Sequence, residues 1–439
     1  MSLLEKDINL KIFKGNLIFT KTSDKFTIMK DSYIVVIDGK IASVSSNLPD
    51  KYKGNPIIDF RNNIIIPGMN DLHAHASQYK NLGIGMDKEL LPWLNNYTFP
   101  EEAKFLNVDY AKKTYGRLIK DLIKNGTTRV ALFATLHKDS TIELFNMLIK
   151  SGIGAYVGKV NMDYNCPDYL TENYITSLND TEEIILKYKD KSNIVKPIIT
   201  PRFVPSCSNE LMDGLGKLSY KYRLPVQSHL SENLDEIAVV KSLHKKSNFY
   251  GEVYDKFGLF GNTPTLMAHC IHSSKEEINL IKRNNVTIVH CPTSNFNLGS
   301  GMMPVRKYLN LGINVVLGSD ISAGHTCSLF KVIAYAIQNS KIKWQESGKK
   351  DMFLSTSEAF YMATKKGGSF FGKVGSFEEG YDFDALVIND SNLYPEDYDL
   401  TERLERFIYL GDDRNIMKRY VCGNEIFGPK FEGHHHHHH

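Results

Sequence analysis

The chain has 439 residues, a formal net charge of +3 and six cysteines. A charge this small excludes the basic surface that nucleic acid or an anionic membrane would demand. No apolar run approaches the roughly 20 residues of a membrane span, and no signal peptide is visible. The cysteines, at 166, 207, 270, 291, 327 and 422, include no C-x-x-C pair. They read as reduced thiols of a cytoplasmic protein. Six of the fifteen histidines form the terminal run 434–439. Residues 432–439 are taken as an expression tag and carry no site argument.

The first sixty residues read as short strands over 10–13, 15–20, 32–37 and 40–46, punctuated by turn signals such as Asp38-Gly39. From about residue 64 the pattern changes. Apolar runs recur at 64–69, 127–133, 153–160, 194–200, 225–229, 265–269, 287–290 and 313–318. Helical patterns at 111–125, 140–151, 181–188, 232–243 and 275–284 separate most of them. Strand and helix in alternation mean parallel strands with crossover helices. Eight such runs predict an α/β fold with a TIM-like (β/α)8 barrel. Beyond about residue 375 short strands return, over 385–388 and 418–421. The expected organisation is a barrel over 67–372, with a small β-sandwich domain built from both chain ends, 1–66 and 373–431.

The chemistry collects at the ends of the barrel runs. Residues i and i+2 of a strand point the same way, so His73 and His75 can reach one ion. His229, His269, His290 and Asp320 end four further runs. One polar residue ending a buried strand is often a loop hydrogen-bonder; five such ends out of eight predict a metal centre. Active sites of these barrels lie at the C-terminal ends of the strands. His73, His75 and His229 can supply neutral nitrogens and Asp320 an oxygen, leaving room for a water, as hydrolytic zinc requires. Glu232 lies three residues after His229, where the chain starts a helix. It can serve as a proton shuttle, or it can simply favour the positive helix N-terminus. His269 can orient the attacking oxygen or support a ligand from behind. His290 reads as supporting or structural, His272 as a weaker candidate, and His137 and His244 as surface residues.

Pro67-Gly68-x-x-Asp71-x-His73-x-His75, with His229, His269, Asp320 and the terminal stretch Gly380-Tyr381-Asp382-Phe383-Asp384-Ala385-Leu386-Val387, resembles the amidohydrolase superfamily. The fourth run ends Thr200-Pro201-Arg202-Phe203, with Lys196 at its other end. No bridging lysine or carboxylate is therefore available, and the resemblance implies one divalent metal per chain, Zn2+ or Fe2+. The His229-x-x-Glu232 element is similar to the aminohydrolase branch. Within that branch, the motifs His75-Ala76-Ser77-Gln78-Tyr79, Leu90-Leu91-Pro92-Trp93-Leu94, Ser228-His229-Leu230-Ser231-Glu232-Asn233 and His290-Cys291-Pro292-Thr293-Ser294-Asn295 resemble the guanine deaminase family.

The resemblance implies hydrolysis of guanine to xanthine and ammonia. It places Gln78, Arg202, the backbone near Phe203, and His269 against the base, with Glu232, Asp320 and His269 as catalytic groups. It also implies a homodimer. Gln78 offers both a donor and an acceptor, and Arg202 a rigid fork of donors. Each has a bland alternative: Gln78 can merely order its loop, and Arg202 can pair with a structural carboxylate. Trp93 and Phe99 can stack on the base or simply pack, and their segment can form a lid. The run after Asp320 departs from the family pattern, so His325 can alter one wall of the pocket. Two competing functions are a related aminohydrolase acting on another purine, pterin, triazine or adenosyl compound, and a barrel scaffold without catalysis.

Overall fold

The computed structural model describes residues 8–427. The expected tag at 432–439 lies outside them. Eight strands carry the centre of the fold: Met69–His75 (β1), Thr127–Phe133 (β2), Gly154–Gly158 (β3), Val195–Pro197 (β4), Val226–Leu230 (β5), Thr265–His269 (β6), Thr287–His290 (β7) and Val315–Leu317 (β8). β1 to β4 form one parallel four-stranded sheet and β5 to β8 another. The seams close by backbone bonds. Ile199 N–H donates to Pro225 O and Gln227 N–H to Ile199 O, both at 2.9 Å. On the other side Asp320 N–H donates to His73 O at 2.8 Å and His75 N–H to Ile321 O at 3.0 Å. The result is a TIM-type barrel.

Strands of this kind are covered on both faces, which is why they read as continuous apolar runs; every residue of β2 is buried. The helices between them are amphipathic. The helix Val108–Lys124 is capped by the Asn107 side chain and buries Tyr115, Leu118, Ile119 and Leu122 against the barrel.

Two expectations change here. The apolar run at 64–69 is not one barrel strand. Residues up to Pro67 end the strand Ile57–Pro67, which pairs antiparallel with Ala385–Ile388 in the terminal sheet. Pro67 and Gly68 make the break. Gly68 lies so close to Thr128 that a Cβ there would overlap the threonine side chain. β1 therefore starts at Met69, and His73 and His75 lie within it rather than after it.

The second change concerns the ends of the chain. They do share a sheet, but its hydrogen bonding gives one seven-stranded sheet where two stacked layers were expected. Its order runs Asn424–Glu425, Ile416–Val421, Ala385–Ile388, Ile57–Pro67, Leu10–Thr22, Lys25–Ile37, Lys40–Ser45. The first two of these N-terminal strands are long and nearly continuous. The break expected at Lys14 is absorbed as a register shift between Gly15 and Leu17, a bulge rather than a turn. Phe13 packs on Phe383 and Tyr420, with ring centroids 4.8 and 5.0 Å apart, and so ties the two chain ends together.

Arg129 on β2 joins this sheet to the barrel. Its Nε donates to Asp384 at 2.7 Å, and Nη2 donates to Asp384 and Asp382, each at 3.2 Å. The Arg129 and Asp384 side chains are 2% and 0% exposed. A buried ion pair that loses one partner leaves a charge without compensation. Arg129→Ala is therefore expected to lower unfolding stability by about 3–5 kcal/mol, read by denaturant titration; a loss below about 1 kcal/mol, the size of a surface pair, would refute this account of the sheet–barrel joint.

Candidate metal centre and substrate cleft

The expected ligands come together at the C-terminal mouth of the barrel. His73 and His75 leave β1 on one face. Their Nε2 atoms are 3.2 Å apart, and each lies within 3.3 Å of Asp320 Oδ1. His229 Nε2, from the end of β5, is 3.3 Å from His75 Nε2. The other nitrogen of His229 donates to Arg202 O at 2.5 Å. That bond fixes its tautomer and leaves Nε2 as a lone pair aimed into the cluster. Donors about 2.0–2.1 Å from a tetrahedral zinc are themselves about 3.3 Å apart, which is the spacing of the His73–His75, His73–Asp320, His75–Asp320 and His75–His229 pairs. All four side chains are buried. Such a set of donor atoms, out of water and facing inward, fits a divalent cation.

The backbone beneath the cluster is strained. Ser231, His269, Cys270 and Asp320 all have positive φ, between 49° and 82°, and all sit where β5, β6 and β8 run out. Non-glycine residues avoid that region unless the surroundings hold them there. Asp71 is one such restraint. It accepts from Ser319 Oγ at 2.5 Å, from Ser319 N–H at 2.9 Å and from His73 N–H at 3.2 Å. One buried carboxylate thereby locks the ends of β1 and β8 together. Burial pushes its pKa up to about 6, against the pull of those bonds.

Electrostatics divides the acids. Burial works to raise Asp320, yet the His73 charge and hydrogen bonds from His73 and His75 hold it well below the usual carboxylate range. Glu232 goes the other way, raised by burial and then by the charge of Asp320. Its Oε1 lies 3.3 Å from His269 Nε2. His269 Nε2 also lies 3.5 Å from Asp320 Oδ2. The His269 Nδ1 donates to Asn295 Oδ1 at 2.8 Å, so Nε2 is turned to the site. Burial brings the His269 pKa down to about 4.

The alternative reading of Glu232 as a helix-start acid does not fit its surroundings. The helix Leu234–Leu243 has its own start: Asn233 caps it, and Glu236 closes a capping box. Glu236 accepts from the backbone N–H of both Glu232 and Asn233, at 3.1 and 3.2 Å, and from Tyr250 OH at 2.6 Å. Glu277 accepts from Ser231 Oγ at 2.7 Å. The turn is thus gripped on both sides, and the Glu232 side chain is left to the cleft.

That cleft is lined by His75, Gln78, Trp93, Arg202, Phe203 and Glu232, among others. Both bland alternatives for Gln78 and Arg202 are present in the geometry. Gln78 Oε1 accepts from Ser322 N–H at 3.2 Å, and Arg202 makes a two-pronged ion pair with Glu102 at 2.6 and 2.8 Å. Both side chains nonetheless face the cleft. Glu102 was not singled out from the sequence; Glu101-Glu102 follows Pro100 at a helix start, where acids are common and solvated.

His325 is corrected. It is exposed and bonds Asn297 and Tyr335, and Ala323 lines the cleft instead. His290 is buried behind the site with neither ring nitrogen partnered among the described residues, and burial takes its pKa to about 3. His137 and His244 are half-buried rather than on the surface.

Residues 64–426 match the amidohydrolase family. The chain is 40% identical over 444 residues to a guanine deaminase of Dictyostelium discoideum, covering 95% of this chain and 98% of that protein. It is 38% identical over 440 residues to a human guanine deaminase, covering 94% and 96%. A solved E. coli guanine deaminase superposes with a TM-score of 0.86 at 30% identity, covering 96% of this chain and all of that one.

Asp71 touches no donor atom of the cluster, so its effect on a metal runs through the strand ends it holds. Asp71→Ala is expected to weaken metal binding about 10- to 100-fold, measured by calorimetric titration of metal-stripped protein with zinc. Unchanged affinity would remove Asp71 from that role.

Proposed function

The chain belongs to the amidohydrolase family, and we propose that it hydrolyses guanine to xanthine and ammonia. One observation carries the reading. The Nε2 atoms of His73 and His75 meet Asp320, with His229 Nε2 beside that of His75, at the floor of a cleft whose wall presents Gln78 and Arg202. A floor of this kind activates water, and a wall of this kind reads an amide-bearing ring.

In this reading His73, His75, His229 and Asp320 hold one divalent metal, zinc or iron, which when bound lowers the pKa of water to about 7. Arg202 donates to the carbonyl oxygen of the base, and Gln78 supplies a donor and an acceptor to its edge, beside the backbone of Phe203. The buried carboxyl of Glu232 takes one proton from the attacking water and delivers it to ring nitrogen N3. The water oxygen bonds to C2, and His269 orients that oxygen through Nε2. Asp320 then accepts the remaining hydroxyl proton and passes it to the exocyclic amine. The C2–N bond breaks, ammonia leaves, and the oxygen stays on C2 as the new carbonyl. Glu232 and Asp320 share the proton traffic as a coupled pair.

A homodimer in the cytoplasm belongs to the same proposal. So does the division into a barrel and a terminal β domain drawn from both chain ends, with the first boundary moved from residue 66 to the Pro67-Gly68 break.

The direct test incubates the zinc-loaded protein with guanine and follows the loss of its ultraviolet band together with ammonia release. Stoichiometric xanthine is the expected result; a metal-loaded protein that releases no ammonia from guanine would overturn the assignment. Glu232→Gln should keep metal and fold and lose about 100- to 10,000-fold in kcat, and a wild-type rate would take the shuttle role from Glu232. Arg202→Ala should raise KM for guanine about tenfold or more at unchanged metal content; an unchanged KM would exclude Arg202 from the base.

A further inference from the structure

Glu102 is 3% exposed and has no part in the proton traffic described above. It sits on the short helix Phe99–Ala103, in the segment expected as a lid, and reaches across to the loop after β4. Both of its carboxylate oxygens are engaged. Oε1 accepts from Arg202 Nη1 at 2.6 Å, and Oε2 accepts from Arg202 Nη2 at 2.8 Å and from Gln78 Nε2 at 3.3 Å. The two side chains proposed to read the base therefore share one anchor. A carboxylate present only to balance charge needs the arginine alone.

The consequences differ for the two readers. A two-pronged pair fixes the plane of a guanidinium as well as its position. The Phe99 ring, 5.0 Å from the guanidinium carbon, packs beside it. Arg202 keeps N–H groups that Glu102 does not use, and their directions are set by that plane. Gln78 has a different problem. Its amide can lie two ways, differing only by exchange of oxygen and nitrogen. A carboxylate at one end can only accept, and the Ser322 N–H at the other end can only donate. One orientation satisfies both. The second N–H and second lone pair of Gln78 are then presented in a fixed order.

We infer that Glu102 is a positioning residue for substrate recognition, setting the donor–acceptor pattern that Gln78 and Arg202 show to the base. This rests on the reading of those two residues as base contacts. It also gives the lid segment a chemical reason to sit where it does: the recognition wall is complete only when Phe99–Ala103 is in place.

The test compares wild type, Glu102→Gln, Arg202→Ala and the double variant on guanine, with metal content and thermal unfolding measured for each. Glu102→Gln keeps the shape but loses the charge and one of the two acceptor oxygens, so it can no longer accept from both Arg202 nitrogens. It should raise KM about tenfold while kcat stays within about threefold. The double variant should fall well short of the product of the two single effects, because the part of the Glu102 role that runs through Arg202 is already lost in Arg202→Ala. An unchanged KM in Glu102→Gln would overturn the inference, and so would effects that multiply in the double variant. Should Glu102→Gln not fold, Glu102→Asp keeps the charge and shortens the reach, and the same KM rise at unchanged kcat is required of it. If Arg202→Ala itself leaves KM unchanged, the base-contact reading fails; if only the Glu102 variants do, that reading stands and the inference alone falls.

Discussion

The constraint on which the rest of the structure depends is the gathering of three imidazole nitrogens and a carboxylate oxygen in a buried space a few ångströms across. Nothing about the chain's local preferences favours it. Removing four such groups from water is costly unless each finds a partner, and the groups here point inward at one another. The barrel makes the gathering possible. Two of the nitrogens come from alternate residues of a single strand, the third from a strand halfway round, and the oxygen from the strand that closes the ring. Loops alone would not hold such a set without a scaffold beneath them.

Around that centre the molecule spends much of its polar bonding on fixing side chains that do no chemistry. Asp71 ties β1 to β8, Asn295 turns His269, and Glu236 and Glu277 grip the turn that carries Glu232. Each is a buried acceptor: Asp71 and Glu236 hold backbone N–H groups, Asn295 a ring nitrogen and Glu277 the Ser231 hydroxyl. The strain at Ser231, His269 and Asp320 is the other side of the same arrangement. A backbone held off its preferred angles stays there only because several bonds over-determine it. The proposed recognition wall follows the same pattern one layer outward, where Glu102 holds Gln78 and Arg202.

Much of this was legible beforehand, for reasons that can be named. The barrel was legible because its strands are buried on both faces and so lack the alternation of half-exposed strands. The cluster of candidate ligands was legible because histidine and aspartate are rare at the ends of apolar runs. The seam between the terminal sheet and β1 was not. The run 64–69 is uniformly apolar, and hydropathy has no mark for the point where a chain passes from one sheet to another; only the closeness of Gly68 to Thr128 shows why the break falls there. His325 misled for a related reason. It follows Asp320 closely in sequence, but the chain turns there and carries it to the surface beside Tyr335.

The sequence by itself determined the ingredients: the alternation that builds a barrel, the histidines and aspartate at strand ends, and the motifs that resemble one enzyme family. These depend on residue type and on spacing within a single element, where the period of a strand or helix dictates which way a side chain points. Tertiary structure alone decided the partnerships. Glu102 meets Arg202 across 100 residues, Asp71 meets Ser319 across 248, and Arg129 meets Asp384 across 255. An acidic residue at a helix start has the same local signature whether it faces water or an arginine, because its partner is set by how distant elements pack. Local periodicity carries no information about that choice.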